Sequence, residues 1–331
     1  MESFKFDRII RWSMLVVGLQ SGKGSIVENK WIKHITSVYH FLTCCVMLAN
    51  IVVELSVRAP AQGVFTNQNV MQIVAFISST AYIFQITCCS WISFYKCHRD
   101  SGFLEYYREL EKLIESNNDM EKKLKSLKFR VMSVGVVLIG WLLAMIPAVL
   151  YIVRVVDYAN VNPEILKIFQ QPSEILAGIT YFISLLHWSM QTAYIATISL
   201  TLWQIGEAFN NNFIKDCESP VSIQNLINYR VMHLSWCRLV STANKCLRWM
   251  VAATLTGSIV VSLITLYILA KSDFSTNQGT AVLIHTIFYF FALFGSMAII
   301  IVLAEQVAAT VSLQITNNVC IEIMIAFTSI R

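Results

Sequence analysis

Residues of the AVILMFWYC set make up 56% of this 331-residue chain and charged residues only 14%, with a mean hydropathy of +0.59 and a net charge of +5. That balance excludes an ordinary water-soluble domain and a disordered chain, because too little charge is available to cover a surface this apolar. It predicts an all-α, polytopic bundle of transmembrane helices, with the lipid bilayer as its first partner and no role for nucleic acid.

In chain order, residues 1–33 read as a cytoplasmic N-terminal segment. Their short apolar stretch, Ser13 to Leu19, follows Glu2 and Asp7, which is unlike a secretory signal, so the first span is expected to direct insertion. Residues 4–19 carry Phe4, Phe6, Ile9, Ile10 and Trp12 among Lys5, Arg8 and Arg11, a composition that suits either an interfacial amphipathic segment or a solvated tail. A spanning helix needs roughly 20 mostly apolar residues. Taking Asp, Glu, Lys and Arg as boundaries, the runs 34–53, 59–95, 131–153, 175–206, 249–270 and 274–304 are each long enough for one span. In the second run, Ala59-Pro60-Ala61-Gln62-Gly63 and Asn67-Gln68-Asn69 read as loop, which places the helix start near Val70. Beyond Glu305 the signal weakens around Asn317, Asn318 and Glu322, so residues 306–331 hold either a divergent seventh helix or none.

Lys and Arg are retained on the cytoplasmic side of a membrane. One set of alternate segments is rich in them: Lys5, Arg8, Arg11, Lys23, Lys30 and Lys33; then Lys96, Arg99, Arg108, Lys112, Lys122, Lys123, Lys125, Lys128 and Arg130; then Lys215, Arg230, Arg238, Lys245 and Arg248. The opposing loops carry only Arg58, Arg154, Lys167 and Lys271. The N-terminus is therefore expected inside, the reverse of a rhodopsin-type G-protein-coupled receptor. The chain also lacks an Asn-x-Ser/Thr sequon, an Asp/Glu-Arg-Tyr motif and an Asn-Pro-x-x-Tyr motif. Its nine cysteines fall in spans, on the inner side or in the C-terminal tail, where reduced thiols packing as small hydrophobes are expected.

Two inner segments, 96–130 and 207–248, are expected to be helical. Residues 100–128 pair opposite charges at helical spacing (Glu105 with Arg108, Glu109 with Lys112, Glu121 with Lys125) beside an apolar side of Leu104, Tyr107, Leu110, Leu113 and Ile114. Over 222–247, Ile223, Leu226, Ile227, Val231, Leu234, Cys237 and Val240 recur in steps of mostly three and four, which predicts an amphipathic helix running directly into the fifth span. An apolar stripe outside the membrane packs either on its own chain or on another subunit.

The run Tyr229-Arg230-Val231-Met232-His233-Leu234-Ser235-Trp236-Cys237-Arg238-Leu239-Val240, with Asn244 before the span, resembles the segment preceding the fifth helix in the insect-type gustatory and odorant receptor superfamily. Nematode gustatory-receptor-like proteins are similar there, and the overall plan of inward N-terminus, basic second loop and long inner helices agrees. The resemblance implies a chemosensory receptor of the plasma membrane, a seven-helix subunit of a homo- or hetero-tetrameric ligand-gated cation channel. It also implies that inner helix extensions, here including Tyr229, His233, Arg238 and Asn244, anchor subunits to one another, and that the last helix lines the pore. The family's C-terminal Thr-Tyr and Gln-Phe pairs are missing here, which leaves open whether this chain carries a pore helix.

A small-molecule ligand entering from outside would meet aromatic and polar groups in the outer halves of the spans. Candidates are Tyr82, Tyr151, Tyr181, His187, Trp188, Tyr267, His285 and Tyr289, with Gln72, Phe76, Pro147, Gln191, Phe288 and Phe291 beside them. Each has a plainer reading as helix packing or interfacial aromatic, and each histidine as a residue bonded to a neighbouring helix. No paired carboxylates, His-x-x-x-His, Cys-x-x-Cys or phosphate-binding glycine loop accompanies the spans, so neither an enzyme nor a cofactor or metal site is expected. A secondary transporter is the third reading, weakened by runs that hold no Asp, Glu, Lys or Arg and only Pro147 as a proline within a helix.

Overall fold

The computed structural model describes residues 29–57, 67–99, 102–115, 172–217 and 223–271, together with 287, 290–291, 293–295 and 297–312. All of these but Asn29 are helical, and there is no strand among the described residues. The helices are α1 (Lys30–Val57), α2 (Asn67–Arg99), α3 (Gly102–Glu115), α4 (Pro172–Cys217), α5 (Ile223–Lys271) and α6 (Leu293–Ser312). The run 131–153 and residues 1–28 lie outside the described residues.

Local chemistry sets several boundaries. Asn29 caps α1, its Oδ1 accepting from the Trp31 amide at 2.9 Å while its carbonyl accepts from Lys33. Pro172 opens α4, where a missing N–H costs nothing. Lys96, His98 and Arg99 close α2 and Lys215 closes α4, each complementing the negative end of a helix dipole. Hydroxyls inside the helices return to their own backbone: Thr43 to Tyr39, Thr192 to Trp188, Thr197 to Ala193 and Thr265 to Val261. In lipid that is the cheapest way to satisfy a polar side chain.

Packing fixes the directions of the helices. Gln85 of α2 bonds to Thr254 of α5, and Cys89 four residues later lies on Met250, so these two run antiparallel. Thr87 against Met47, with His40 against Phe94, makes α1 antiparallel to α2. Trp236 on Leu202 and Tyr229 between Phe209 and Phe213 make α4 antiparallel to α5. Finally, α6 runs parallel to α4, since Leu293 shares a cluster with Trp188 while Thr310 lies on Gly206. Thus α1 and α5 point one way and α2, α4 and α6 the other.

The core divides along this axis. At one end Met47, Ile83, Ile86, Trp188, Val261 and Leu293 join five helices. At the other, α3 lays Tyr106, Tyr107, Leu110, Leu113 and Ile114 into a larger cluster with Tyr194, Phe209, Trp236, Leu239 and Ile300. Tyr107 donates its hydroxyl to that of Tyr194 at 3.3 Å. Of the apolar side read for 100–128, Tyr107, Leu110, Leu113 and Ile114 are buried and Leu104 half-buried, Lys112 pairs with Glu109 at 2.8 Å on the outside, and residues 116–128 lie outside the described residues.

Three differences from the sequence reading stand out. First, α4 is buried on nearly every side from His187 to Asn210, and its register sets residues 190–206 beside the part of α5 that carries exposed Arg238, Lys245 and Arg248. The charge-free run 175–206 is therefore longer than its membrane-facing portion, because a helix enclosed by protein needs no charge wherever it lies. Secondly, the apolar stripe of 222–247 is two faces: Leu226, Tyr229, His233, Trp236 and Leu239 turn into the core, whereas Ile223, Ile227, Val231 and Leu234 are exposed. Thirdly, helix α6 continues through Glu305 to Ser312 without a break, so the first residues of 306–331 extend the sixth helix rather than begin a seventh.

Over Lys30–Ala49, Ile223–Tyr267 and Leu293–Ser312, α1, α5 and α6 are long and apolar enough to cross a membrane. Their outward faces carry Trp31, Ile35, Leu42 and Val52, then Ile259, Leu263 and Leu266, then Phe291, Ile301 and Val302. Apolar surface on that scale is stable only against hydrocarbon or another protein. The chain is a membrane protein.

Candidate functional site

Where α1, α2, α4 and α5 meet, the interior is polar. Gln85 of α2 donates its Nε2 to the carbonyl of Thr254 at 3.1 Å and lies 3.4 Å from the Ser258 hydroxyl, which assigns the amide orientation and leaves Oε1 without a partner. A Cβ built on Gly257 would collide with this same side chain, so glycine is what lets α5 approach α2 here. One turn along, the Cys89 thiol sits 3.7 Å from the Thr254 hydroxyl.

On α4, His187 is 1% exposed and its Nδ1 donates to the Ile183 carbonyl at 3.1 Å. That bond fixes the tautomer and makes Nε2 a bare acceptor, unpartnered in the interior. Gln191, one turn on along the same face, leaves its amide Nε2 unpartnered as well. His40 of α1 is fully buried, edge-on to Phe94 at 5.2 Å and near enough to His187 for the two rings to interact electrostatically. Phe94 also stacks on His98 at 4.3 Å, and burial holds His98, at the end of α2, below the ordinary histidine pKa. The Ser184 hydroxyl, a turn before His187, reaches the Met47 sulfur at 3.1 Å.

Buried donors and acceptors left unmatched in this way are uncommon, because each costs on the order of 1–3 kcal/mol. An open acceptor on His187 and an open donor on Gln191 complement a small neutral molecule that both donates and accepts hydrogen bonds, and both atoms are closed to solvent in this structure. It offers no nucleophile with an adjacent base, and among the described residues no group of three His, Cys, Asp or Glu could hold a metal ion.

Of the residues anticipated for ligand binding, His187 and Trp188 lie in this interior, Trp188 packed among Met47, Ile83, Ile86, Val261 and Leu293. Tyr267 is exposed on the outer face of α5. Tyr82 and Tyr181 lie in α2 and α4, with side chains outside the description, and Tyr151, His285 and Tyr289 lie outside the described residues. Of the expected anchor residues, Tyr229 is buried edge-on between Phe209 and Phe213, and His233 is buried with its Nε2 3.4 Å from the Cys237 thiol. Arg238 and Asn244 are exposed. The sequence reading passed over His40, Gln85 and Ser258, although a histidine inside the run 34–53 and a glutamine well inside an apolar helix are signals in themselves.

Comparison with models of known protein families finds no match for this chain, and a comparison with curated proteins finds none that matches it either.

Proposed function

We propose that this chain is a chemosensory receptor of the gustatory-receptor-like type, one subunit of a tetrameric ligand-gated cation channel in the plasma membrane, with its N-terminus and the α3 end in the cytoplasm. The observation that carries the reading is the outward face of α5. Along one continuous helix of 49 residues it runs from mostly apolar (Ile223, Ile227, Val231 and Leu234, with Arg230 among them) to basic (Arg238, Lys245, Arg248) and back to apolar (Ile259, Leu263, Leu266). The upper apolar stretch suits lipid and the basic stretch suits headgroups. Val231 then lies about 25 Å along the helix from Arg248 at 1.5 Å per residue, well past the headgroups, yet it is 57% exposed.

An apolar stripe at that depth has no lipid to cover it, and another subunit of the same assembly is the cover the tetramer provides. The excess of Lys and Arg in the N-terminal, α2–α3 and α4–α5 segments supports the inward N-terminus. The polar interior around His187 and Gln191 supports a small-molecule ligand. A G-protein-coupled receptor is the rival reading, and it requires the opposite orientation.

The experiment is an N-terminal epitope tag on the expressed protein, stained before and after permeabilisation, combined with single-molecule counting of subunits and current recording. A tag visible only after permeabilisation, with assemblies of four, supports the channel subunit. A tag exposed on intact cells sinks it and restores the G-protein-coupled reading.

A further inference from the structure

The basic zone of α5 faces outward and has no acid to answer it. Arg238, Lys245 and Arg248 are exposed, and no carboxylate among the described residues pairs with any of them. Their spacing, with Ser241 between the first two, follows i, i+3, i+7 and i+10, which is one face of a helix. Immediately above, Trp249 is 54% exposed and the Arg248 guanidinium lies over its ring, 5.2 Å from the centroid. The same pairing occurs on the neighbouring helix, where the Arg99 guanidinium lies 5.5 Å from the centroid of the Tyr95 ring. The antiparallel register set by Gln85 on Thr254 and Cys89 on Met250 puts that pair level with Ser241–Lys245 of α5. Two adjacent helices thus each carry an arginine against an aromatic ring in the basic zone, the α2 pair roughly one to two turns farther from the apolar stretch than Arg248 and Trp249.

We propose that Lys245 and Arg248, with Trp249 beneath the guanidinium, form a binding site for the phosphate of an anionic phospholipid, whose acyl chains lie along Ile259 and Leu263. The chemistry favours a lipid over a soluble anion. The apolar face continues from the cations without interruption, and an indole at the headgroup level gives the glycerol region an amphipathic neighbour. The aromatic ring also gives the guanidinium a cation–π neighbour, and its fork suits bidentate contact with phosphate oxygens. An interface between copies of the chain is expected lower on the helix, at Val231 and Leu234, where no aromatic ring stands beside a cation and the exposed Arg230 is the one base on the face.

The test reconstitutes the full chain in lipid nanodiscs of phosphatidylcholine with a phosphatidylserine fraction and measures which lipid is retained, by native mass spectrometry. The wild-type protein should retain phosphatidylserine in preference to phosphatidylcholine. Lys245→Gln and Arg248→Gln should each weaken that retention about fivefold, since a cation at the membrane surface contributes about 1 kcal/mol toward anionic lipid. Lys215→Gln at the end of α4 removes the same charge far from this zone and should leave retention unchanged. Arg248→Lys keeps the charge and loses the guanidinium fork, so it serves if the glutamine variants do not fold, and an intermediate loss is expected. Equal loss at Lys215 and Arg248, no loss at any site, or displacement of the lipid by inorganic phosphate at equal concentration would each overturn the proposal.

Discussion

Two glycines decide how closely the helices pack. A Cβ on Gly206 would strike the Thr310 methyl and the Trp236 ring, and one on Gly257 would strike the Gln85 side chain. Trp236 is fully buried and donates Nε1 to the Leu202 carbonyl at 3.4 Å, so it cannot easily move aside. Gly206→Val should therefore cost about 1–3 kcal/mol through overpacking and lower the Tm of the detergent-solubilised protein, whereas Gly295→Ala, where a Cβ meets nothing, should leave it unchanged. Gln85 tests the polar interior. Gln85→Leu removes the bond to Thr254 together with the unmatched Oε1, and Gln85→Glu keeps the shape but puts a carboxylate in the same enclosure. The leucine variant should stay within about 1 kcal/mol of the wild type and the glutamate variant should lose several; equal Tm values for the two would mean that water reaches this site. None of this was legible beforehand. Counting from charge to charge passes over neutral polar residues and glycines, and which helices meet at Gln85 and Gly257 is a tertiary fact that no spacing within one helix encodes.

At the scale of elements, the sequence was most readable where a single helix carried its own contrast. The buried side of α3 matches the periodicity of residues 100–128, with Tyr106 added to it, because exposed charges alternate there with apolar residues every three to four positions. Reading α5 was harder, since both of its faces are apolar between Ile223 and Val240 and a period of 3.6 cannot separate a core stripe from an outer one. The outer stripe carries the next prediction. Val231→Glu with Leu234→Glu should leave the chain folded, as both side chains are exposed, and shift the assembly toward smaller species in light scattering. Leu226→Glu and Trp236→Glu, which place a carboxylate in the core, should instead abolish folding. If the first pair leaves the assembly intact, the outer stripe is not where subunits meet.

For the molecule as a whole, hydropathy identified the membrane class, the charge-free runs coincide with α1 and α2 to within a few residues, and the start expected near Val70 falls three residues inside α2. Runs can mislead about depth, as α4 does, because lipid and protein are equally apolar surroundings to a hydrophobicity scale. The packing directions nevertheless put the start of α1, the end of α2 and the α4–α5 junction at one end, with Lys30, Lys33, Lys96, Arg99 and Lys215. A positive-inside tally on its own assumes that arrangement; the registers of Gln85, Thr87 and Trp236 supply it independently.

The unbroken course of α5 has a mechanical meaning. At 1.5 Å per residue its 49 residues make a rod about 73 Å long. Gln85 grips the rod near its middle, through Thr254 and Ser258, and Trp236 pins it lower down. A tilt of about 5° about the Trp236 fulcrum would swing the Lys271 end by about 4–5 Å, while the short arm beyond Val231 moves the other way by much less. The helix is geared: a broad displacement at the Lys271 end becomes a small, forceful one at the exposed Ile223, Ile227 and Val231.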